Sequence, residues 1–249
     1  MPVKLAGFSG GDRTSIDLPA AQEDLLKALA ATGKPLVVVL QNGSALAVNW
    51  ARQHANAILE AWYPGEEGGT AIAETLAGDN NPAGRLPLTF YSSLSQVPPF
   101  EEYSMRGRTY RYLADKPLYG FGFGLSYTSF AYNNLKVTQN DSVTVEGDVK
   151  NTGAAAGDEV VQLYLTQPKA FETPLRVLAG FKRVHLGPGE SAHVSLTIDP
   201  RSLGQVDAKG NRVIAPGEYT VSLGGAQPQE AASVQTGKFN LTGKAELPK

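Results

Sequence analysis

The serine whose surroundings most suggest chemistry is Ser9, in the run Gly7-Phe8-Ser9-Gly10-Gly11. This run matches the G-x-S-x-G nucleophile elbow of α/β-hydrolases, in which a serine lies on a sharp turn between a strand and a helix. Here residues 1–6 make a poor strand, and residues 12–17 separate the serine from the first predicted helix. We therefore interpret the run as a glycine loop and rank serine hydrolysis last among the candidate functions.

Carboxylates in or near loops form the second set with chemical potential. Retaining glycosidases need two carboxyl groups about 5–5.5 Å apart, one as nucleophile and one as acid/base. The spacing along the chain identifies no such pair. The candidates are Asp12, Asp17, Glu66, Glu67, Glu101 and Glu102.

Metal and nucleotide sites are not expected. The chain has no cysteine, and its histidines, His54, His185 and His193, lack companions at ligand spacing. His185 and His193 flank a predicted turn on facing strands, and all three are interpreted as surface residues. A glycine loop at residues 65–69 precedes a helix, but Glu66 and Glu67 within it would repel phosphate. No cofactor is predicted.

Composition excludes two further classes of partner. The 249 residues have a formal net charge of -2 and a hydrophobic content of 42%, so nothing favours nucleic acid or an acidic membrane surface. Residues 105–112 (MRGRTYRY) alternate arginines with aromatics, which we interpret as an interdomain or pocket-rim contact. No apolar run approaches the ~18 residues of a membrane span.

Residues 1–112 alternate helical patterns with apolar runs. Helices are predicted at residues 18–33, 47–53 and 70–77, and strands at 36–40, 57–62 and 86–90. The continuous apolar run LVVVL at 36–40 is typical of a parallel strand buried on both faces. Because such sheets usually have about 5 strands or more, we expect the chain to begin in the middle of a domain. An exposed apolar surface is then expected near the first helix or the sheet edge.

After residue 126 the hydrophobic period changes to two. Residues 142–149, 160–165, 192–198 and 219–223 read as strands, and Pro-Gly pairs at 188–189 and 216–217 indicate turns. About seven short strands predict an immunoglobulin-like or fibronectin type III-like sandwich. The predicted division is residues 1–112, a connecting segment at 113–126, and a second domain at 127–249.

The joint at residues 116–130 (KPLYGFGFGLSYTSF) carries a resemblance to a known family. The joint resembles glycoside hydrolase family 3, the β-glucosidases and β-xylosidases, and further similar stretches follow in family order over nearly the whole chain. They include residues 11–19, 62–69, 78–87, 107–112, 149–153, 157–164 and 178–184. The resemblance implies an α/β plus all-β fold, in which an incomplete α/β sandwich domain is followed by a fibronectin type III-like β-sandwich.

The resemblance also implies where the catalytic groups lie. In that family the nucleophile is an aspartate of an N-terminal TIM-like barrel, and the acid/base is a glutamate shortly before an Asp-Arg pair that matches Asp12-Arg13. Residues 1–11 contain no Asp or Glu, so both carboxylates are expected upstream of Met1 and no catalytic residue is assigned. The candidates for the pocket rim are Asp12, Arg13, Arg106 and Arg108.

The resemblance therefore implies the C-terminal portion of a retaining β-glucosidase, which hydrolyses terminal non-reducing β-D-glucosyl residues. Without the barrel that carries the nucleophile, the chain is expected to be inactive alone. Its expected partners are a β-glucoside oligosaccharide or aryl glucoside, and the missing barrel portion, whether omitted, proteolysed or a separate chain. A periplasmic or secreted location is implied by the resemblance. A β-xylosidase is the rival within the family. A non-catalytic carbohydrate-binding or scaffolding module is the other alternative, for which Tyr63, Tyr103, Tyr110 and Tyr112 could supply aromatic surface.

Overall fold

A computed structural model describes residues 14–99, 101–228 and 233–248. Its first region contains helices and a pair of parallel strands, and its second region contains antiparallel sheets. Within these three ranges, no helix combines the length and the apolar character needed to cross a bilayer.

The first region follows the predicted alternation of helix and strand. Its elements are α1 (Ala20–Ala30), β1 (Val37–Leu40), α2 (Asn49–His54), β2 (Ala57–Glu60) and α3 (Gly68–Ala77). β1 and β2 pair in parallel, as their apolar sequences predict. Gly78 ends α3 with a φ of 88°, a left-handed conformation that glycine adopts without steric cost.

The core of this region lies between the two strands, α2 and a later part of the chain. Its buried members are Leu36, Val38, Leu40, Val48, Ala51, Phe90 and Leu118. Phe90 and Leu118 come from the segments that lead into the second region. The connecting segment therefore forms part of the first core.

The predicted third strand at residues 86–90 is wrong. Pro87 has no N–H, which interrupts a ladder of hydrogen bonds. The segment instead pairs irregularly with the connecting segment: Leu86 N donates to Phe123 O at 2.8 Å, and Phe90 N donates to Tyr119 O at 2.9 Å. The result is one isolated antiparallel bridge rather than a strand.

The expected exposed apolar surface is present on α1 and β1. No residue of α1 is buried. Leu25 is 58% exposed, Leu29 45% and Val37 46%. Leu25 and Leu29 lie one turn apart on α1 and Val37 begins β1, so both elements present large apolar side chains to solvent in the part of the chain that the structure describes.

The second region is a β-sandwich. After a short helix α4 (Thr109–Tyr112), its strands are β3 (Phe130–Gln139), β4 (Val143–Asn151), β5 (Gly157–Thr166), β6 (Val177–Leu186), β7 (Ser191–Thr197), β8 (Gly204–Val206), β9 (Arg212–Ile214), β10 (Gly217–Gly224), β11 (Gln235–Leu241) and β12 (Ala245–Glu246). A short helix α5 (Pro200–Leu203) precedes β8, and the Asp199 carboxylate caps it by accepting from Arg201 N at 2.8 Å.

Two of its sheets face each other across one core. The three-stranded sheet has the order β3-β4-β7, and the four-stranded sheet has the order β11-β10-β5-β6. Alternate residues of both sheets are buried between them, including Val145, Leu163, Tyr219 and Val221, each with 0% exposure. Strands β12, β9 and β8 form a separate small sheet. The three-plus-four arrangement agrees with the predicted sandwich.

A buried ion pair links the two regions. The Arg85 guanidinium lies 2.7 Å from the Glu159 carboxylate on β5, and their side chains are only 10% and 4% exposed. Tyr132 Oη donates to the other Glu159 oxygen at 2.6 Å, and Arg85 Nε donates to Gly225 O at 3.2 Å. Burial raises the pKa of Glu159, and the Arg85 charge opposes that rise.

The glycines of the connecting segment let its backbone lie directly on the sandwich. Gly122 has a φ of 80°, and a Cβ placed there would lie 2.2 Å from Gln162 Oε1 and 2.5 Å from Tyr164 Oη. Gln162 Nε2 donates to Gly122 O at 3.0 Å, and Tyr164 Oη donates to Gln162 Oε1 at 2.6 Å. The contacts run continuously from one region to the other, and the domain limits at residues 112 and 127 stay a prediction.

Candidate functional site

Arg108, a predicted rim residue, organises the loop in which it lies. Its Nη2 donates to Pro99 O at 2.9 Å and to Glu102 O at 2.6 Å. Its Nε donates to Ser104 O at 3.1 Å. The guanidinium therefore holds three carbonyls of one loop, those of residues 99, 102 and 104.

Arg106, the other rim candidate in the described ranges, lies at the surface. Its guanidinium pairs with Glu172 from the loop between β5 and β6, and the two side chains are 79% and 83% exposed. An ion pair this exposed contributes little to stability. A cleft of ≈ 460 Å³ lies beside it, lined by Pro98, Glu102, Ser104 and Arg106. The cleft presents one carboxylate and one guanidinium to solvent.

A second polar cluster lies where the two parallel strands end. In open α/β sheets, ligands bind outside the carboxyl ends of the strands. Glu60, the last residue of β2, accepts from Trp62 N at 3.1 Å, and Asn42 Nδ2, just beyond β1, lies 3.3 Å from the same carboxylate. Burial raises the pKa of Glu60, while these hydrogen bonds oppose the rise. The sheet edge at the carboxyl ends of β1 and β2, called the Glu60 edge below, therefore carries a half-buried carboxyl group.

Two aromatic residues follow Glu60 directly. Trp62 has a φ of 52°, a left-handed conformation that is rare for a bulky residue and often found at functional sites. Tyr63 is 79% exposed, and a Cβ added at Gly43 would lie 2.6 Å from its ring. Gly43 therefore lets the exposed ring lie close against the loop after β1. The edge combines a carboxyl group, an amide and accessible aromatic surface, groups suited to a sugar.

Glu60→Gln is expected to make stability less dependent on pH. The pKa of Glu60 in the folded chain lies above its ordinary value of 4.5. Its contribution to stability is therefore full below pH 4.5 and is lost as pH rises through the raised pKa. Relative to the parent, the variant should gain free energy of unfolding as pH rises from 4.5, in urea titrations at a series of pH values.

The matched control for this prediction is Glu74→Gln, which removes the same charge from the exposed surface of α3. It measures how much of any change follows from net charge alone. A pH profile that is identical for the parent and Glu60→Gln would contradict the buried environment assigned to Glu60.

The other predicted site residues divide into three groups. Ser9, Asp12 and Arg13 lie outside the described residues. Asp17 accepts from its neighbour Ser15 Oγ at 2.7 Å, and Glu102 accepts from Ser104 N at 2.9 Å. Glu66, Glu67 and Glu101 are exposed. Of these described carboxylates, only Glu102 lines the same cleft as Arg106.

The tyrosines proposed as a sugar-binding platform are not equivalent. Tyr63 and Tyr103 are 79% and 92% exposed. Tyr110 is partly buried, and its ring stacks on Phe121 with centroids 4.3 Å apart. Tyr110 is therefore part of the contact between the regions, as expected for residues 105–112.

Two of the three histidines have acidic partners that sequence spacing did not show. His185 Nδ1 lies 2.6 Å from Asp158, and His193 Nδ1 lies 2.8 Å from Asp148. His185 and His193 flank a turn, as predicted, but their strands β6 and β7 belong to different sheets and do not pair with each other. The described ranges contain no group of three His, Cys, Asp or Glu side chains that could hold a metal ion.

Family comparisons cover most of the chain. Residues 3–127 match the glycosyl hydrolase family 3 C-terminal domain. Residues 159–227 match a fibronectin type III-like domain. The first match spans half of the chain, and the two follow each other in the order predicted from the joint.

Similar proteins are longer glycosidases. A xylan 1,4-β-xylosidase of Xylanibacter ruminicola is 45% identical over 228 residues, which are 90% of this chain and 26% of that protein. A periplasmic β-glucosidase of Salmonella typhimurium is 40% identical, over 92% of this chain and 32% of the relative. The chain thus spans about a quarter to a third of the length of these curated relatives.

Solved structures of β-glucosidases contain regions with the same fold as this chain. A β-glucosidase of Bifidobacterium adolescentis aligns with a TM-score of 0.84 at 34% identity, over 95% of this chain and 37% of that one. β-Glucosidase 3B of Thermotoga neapolitana, in complex with α-D-glucose, aligns with a TM-score of 0.82 at 29% identity, over 96% of this chain and 36% of that one. Both regions of the chain are therefore part of each alignment.

Proposed function

The chain belongs to glycoside hydrolase family 3, and we propose that it forms the C-terminal portion of a retaining β-glucosidase, which hydrolyses terminal non-reducing β-D-glucosyl residues. The observation that carries the proposal is the family 3 match over residues 3–127, continued by the fibronectin type III-like match. A β-glucoside oligosaccharide or an aryl glucoside is the proposed substrate of the whole enzyme.

Both catalytic carboxylates are proposed to lie outside residues 1–249, the nucleophile on an N-terminal barrel and the acid/base on a loop of the sandwich domain. The relatives are three to four times as long as the part matched by this chain, which is 26% and 32% of them. Residues 1–11 contain no Asp or Glu before the Asp12-Arg13 pair. On this proposal the chain supplies loops beside the pocket, and Arg106 borders it together with Asp12 and Arg13. Arg108 holds the Arg106 loop in shape.

The exposed apolar side chains of Leu25, Leu29 and Val37 are proposed to contact the rest of the α/β domain. Covering apolar surface contributes about 25 cal/mol per Å², so burial of these side chains would favour docking of that portion. The Glu60 edge, with Trp62 and Tyr63, lies at the carboxyl ends of β1 and β2. We propose that it faces the sugar-binding side of the whole enzyme.

The chain by itself should not hydrolyse an aryl β-glucoside above background. Loss of a nucleophile or an acid/base typically costs orders of magnitude in rate. The full-length parent should hydrolyse the same substrate with retention of configuration, measured by NMR of the first-formed anomer. A complementary measurement is the rate of aryl β-glucoside hydrolysis after the missing portion is added to the chain as a separate polypeptide.

A normal enzymatic rate from the purified single chain would contradict this assignment, because the catalytic residues would then lie within residues 1–249. Inversion of configuration by the parent would contradict the retaining mechanism.

A β-xylosidase is the second candidate, favoured by the relative at 45% identity, which is a xylan 1,4-β-xylosidase. Rates of the parent on matched aryl β-glucoside and aryl β-xyloside distinguish the two. If the role is purely carbohydrate binding or scaffolding, the full-length parent should bind without hydrolysing either aryl glycoside. A periplasmic or secreted location is proposed from the periplasmic relative.

A further inference from the structure

A cleft of ≈ 240 Å³ lies at the junction of the two regions and takes no part in the site described above. Its walls come from three parts of the chain: residues 89 and 110–120 of the first region and connecting segment, and Arg176 and Gln227 of the sandwich. The cleft is therefore formed only when the two regions are held together.

Thr89 in its wall has an unpaired hydroxyl group. The residue is only 6% exposed, and its Oγ1 has no hydrogen-bond partner among the described residues. A buried hydroxyl without a partner is unfavourable. The neighbouring Phe90 is held by Tyr119 through hydrogen bonds of 2.9 and 3.3 Å, which restricts movement of Thr89 towards another partner. Thr89 lines the cleft, and a rotation of its side chain that turns Oγ1 towards the cleft would let a ligand hydroxyl supply that partner.

Gln227 orients the charged group on the opposite wall. Its side chain is 2% exposed. Its Nε2 donates to Phe121 O at 2.8 Å, and its Oε1 accepts from Arg176 Nη1 at 2.6 Å. The buried amide thus fixes the guanidinium beside the cleft, with both ends of the amide satisfied by protein groups.

Asp115 and Lys116 form an exposed rim. The loop that carries them is anchored by Gln96 Nε2, which donates to Lys116 O at 3.1 Å. The Tyr110 ring, stacked on Phe121, supplies an apolar wall. Donors, acceptors and an aromatic ring together suit a neutral ligand whose hydroxyl groups both donate and accept. Asp115, Lys116 and Arg176 place charges of both signs around the cleft.

We propose that this junction cleft binds one monosaccharide, a neutral pyranose. Its volume lies below the ~300–1,000 Å³ of pockets for drug-sized ligands, which favours a single ring over an oligosaccharide. The choice of a pyranose among polyols rests on the proposed glycosidase function. Because the walls come from both regions, a bound sugar would raise the Tm of the joined chain by mass action.

The test is titration of D-glucose and of D-xylose into the intact chain, followed by calorimetry and by thermal unfolding. We expect weak, saturable binding of at least one sugar with a concentration-dependent rise in Tm. Thr89→Val, which keeps the side-chain shape, should weaken binding about tenfold, as expected for one lost hydrogen bond. Its Tm without sugar should equal or exceed that of the parent, which separates lost binding from lost folding.

Asp115→Ala should also weaken binding, whereas Asp141→Ala, at an exposed aspartate of the β3–β4 turn, is the matched control and should leave it unchanged. Absence of saturable binding by both sugars overturns the proposal. Equal affinities for the parent, Thr89→Val and Asp115→Ala overturn it as well, because the sugar would then lie elsewhere. Binding by this non-hydrolysing chain is independent of the parent's rate on aryl glycosides, so failure of the proposed enzyme activity is seen separately.

Discussion

Arg85→Met is expected to lower the free energy of unfolding by about 3–5 kcal/mol, the range seen when one member of a buried ion pair is removed. The Glu159 carboxylate, whose side chain is 4% exposed, would lose the guanidinium that lies 2.7 Å away. Tyr132 Oη would remain as a hydrogen-bond donor, but a neutral hydroxyl does not replace a charge. Urea unfolding of the parent and the variant measures the difference.

The matched control is Arg183→Met, which breaks an ion pair with Asp158 on the same strand as Glu159. The Arg183 side chain is 65% exposed, so the expected loss is about 0–1 kcal/mol. Adding Glu159→Gln to Arg85→Met should recover part of the stability, because the buried charge is removed while an acceptor for Tyr132 is kept. Equal losses for the two arginine variants would contradict a special role for the buried pair.

The Arg85→Met variant should also be more sensitive to pH than the parent. Burial raises the pKa of Glu159, and the guanidinium that opposes this rise would be absent. With its pKa further above the ordinary value of 4.5, Glu159 contributes most to stability below pH 4.5, and that contribution is lost as pH rises through the raised pKa. The deficit relative to the parent should therefore shrink as pH falls.

Gly122→Ala is expected to destabilise the chain by roughly 2–5 kcal/mol, the sum of a left-handed backbone cost and overpacking. The new Cβ would lie 2.2 Å from Gln162 Oε1, so Gln162 or the backbone must move. Gln162 also donates to Gly225 O at 2.8 Å and is held by Tyr164. A shift would therefore disturb the hydrogen bonds that attach the connecting segment to the sandwich.

Gly33→Ala is the control for the backbone cost. Gly33 has a φ of 72°, close to that of Gly122, but a Cβ added there would meet nothing within 4 Å. Its expected loss is about 1–2 kcal/mol, from the left-handed conformation alone. The excess loss of Gly122→Ala, measured by urea or thermal unfolding, isolates the close packing at the joint. A loss of stability no greater than that of Gly33→Ala would contradict this prediction, because the connecting segment would then accommodate the added methyl group without further cost.

Local patterns were sufficient to predict the helices and strands within residues 18–77 and four strands of the sandwich. The apolar run that contains β1, the glycine that ends α3 and the period of two in β4 depend on neighbours within a few residues, and the sequence shows those neighbours directly. The same holds for the change of period near residue 126, which located the passage from parallel to antiparallel structure. The family resemblance of the joint added the order of the two regions, and the family matches agree with it.

Tertiary structure decided which polar groups meet. Arg85 and Glu159 are 74 positions apart, and neither lies in a pattern that pairs them. Arg108 donates to three carbonyls of its own loop, partners that its sequence position did not show, and its place at a pocket rim stays a prediction. The run at residues 86–90 looked like a strand, yet Pro87 and the adjacent connecting segment gave it irregular pairing. Periodicity reports which face of an element is buried, whereas ion pairs and hydrogen bonds depend on where distant segments are brought together by the packing of both cores.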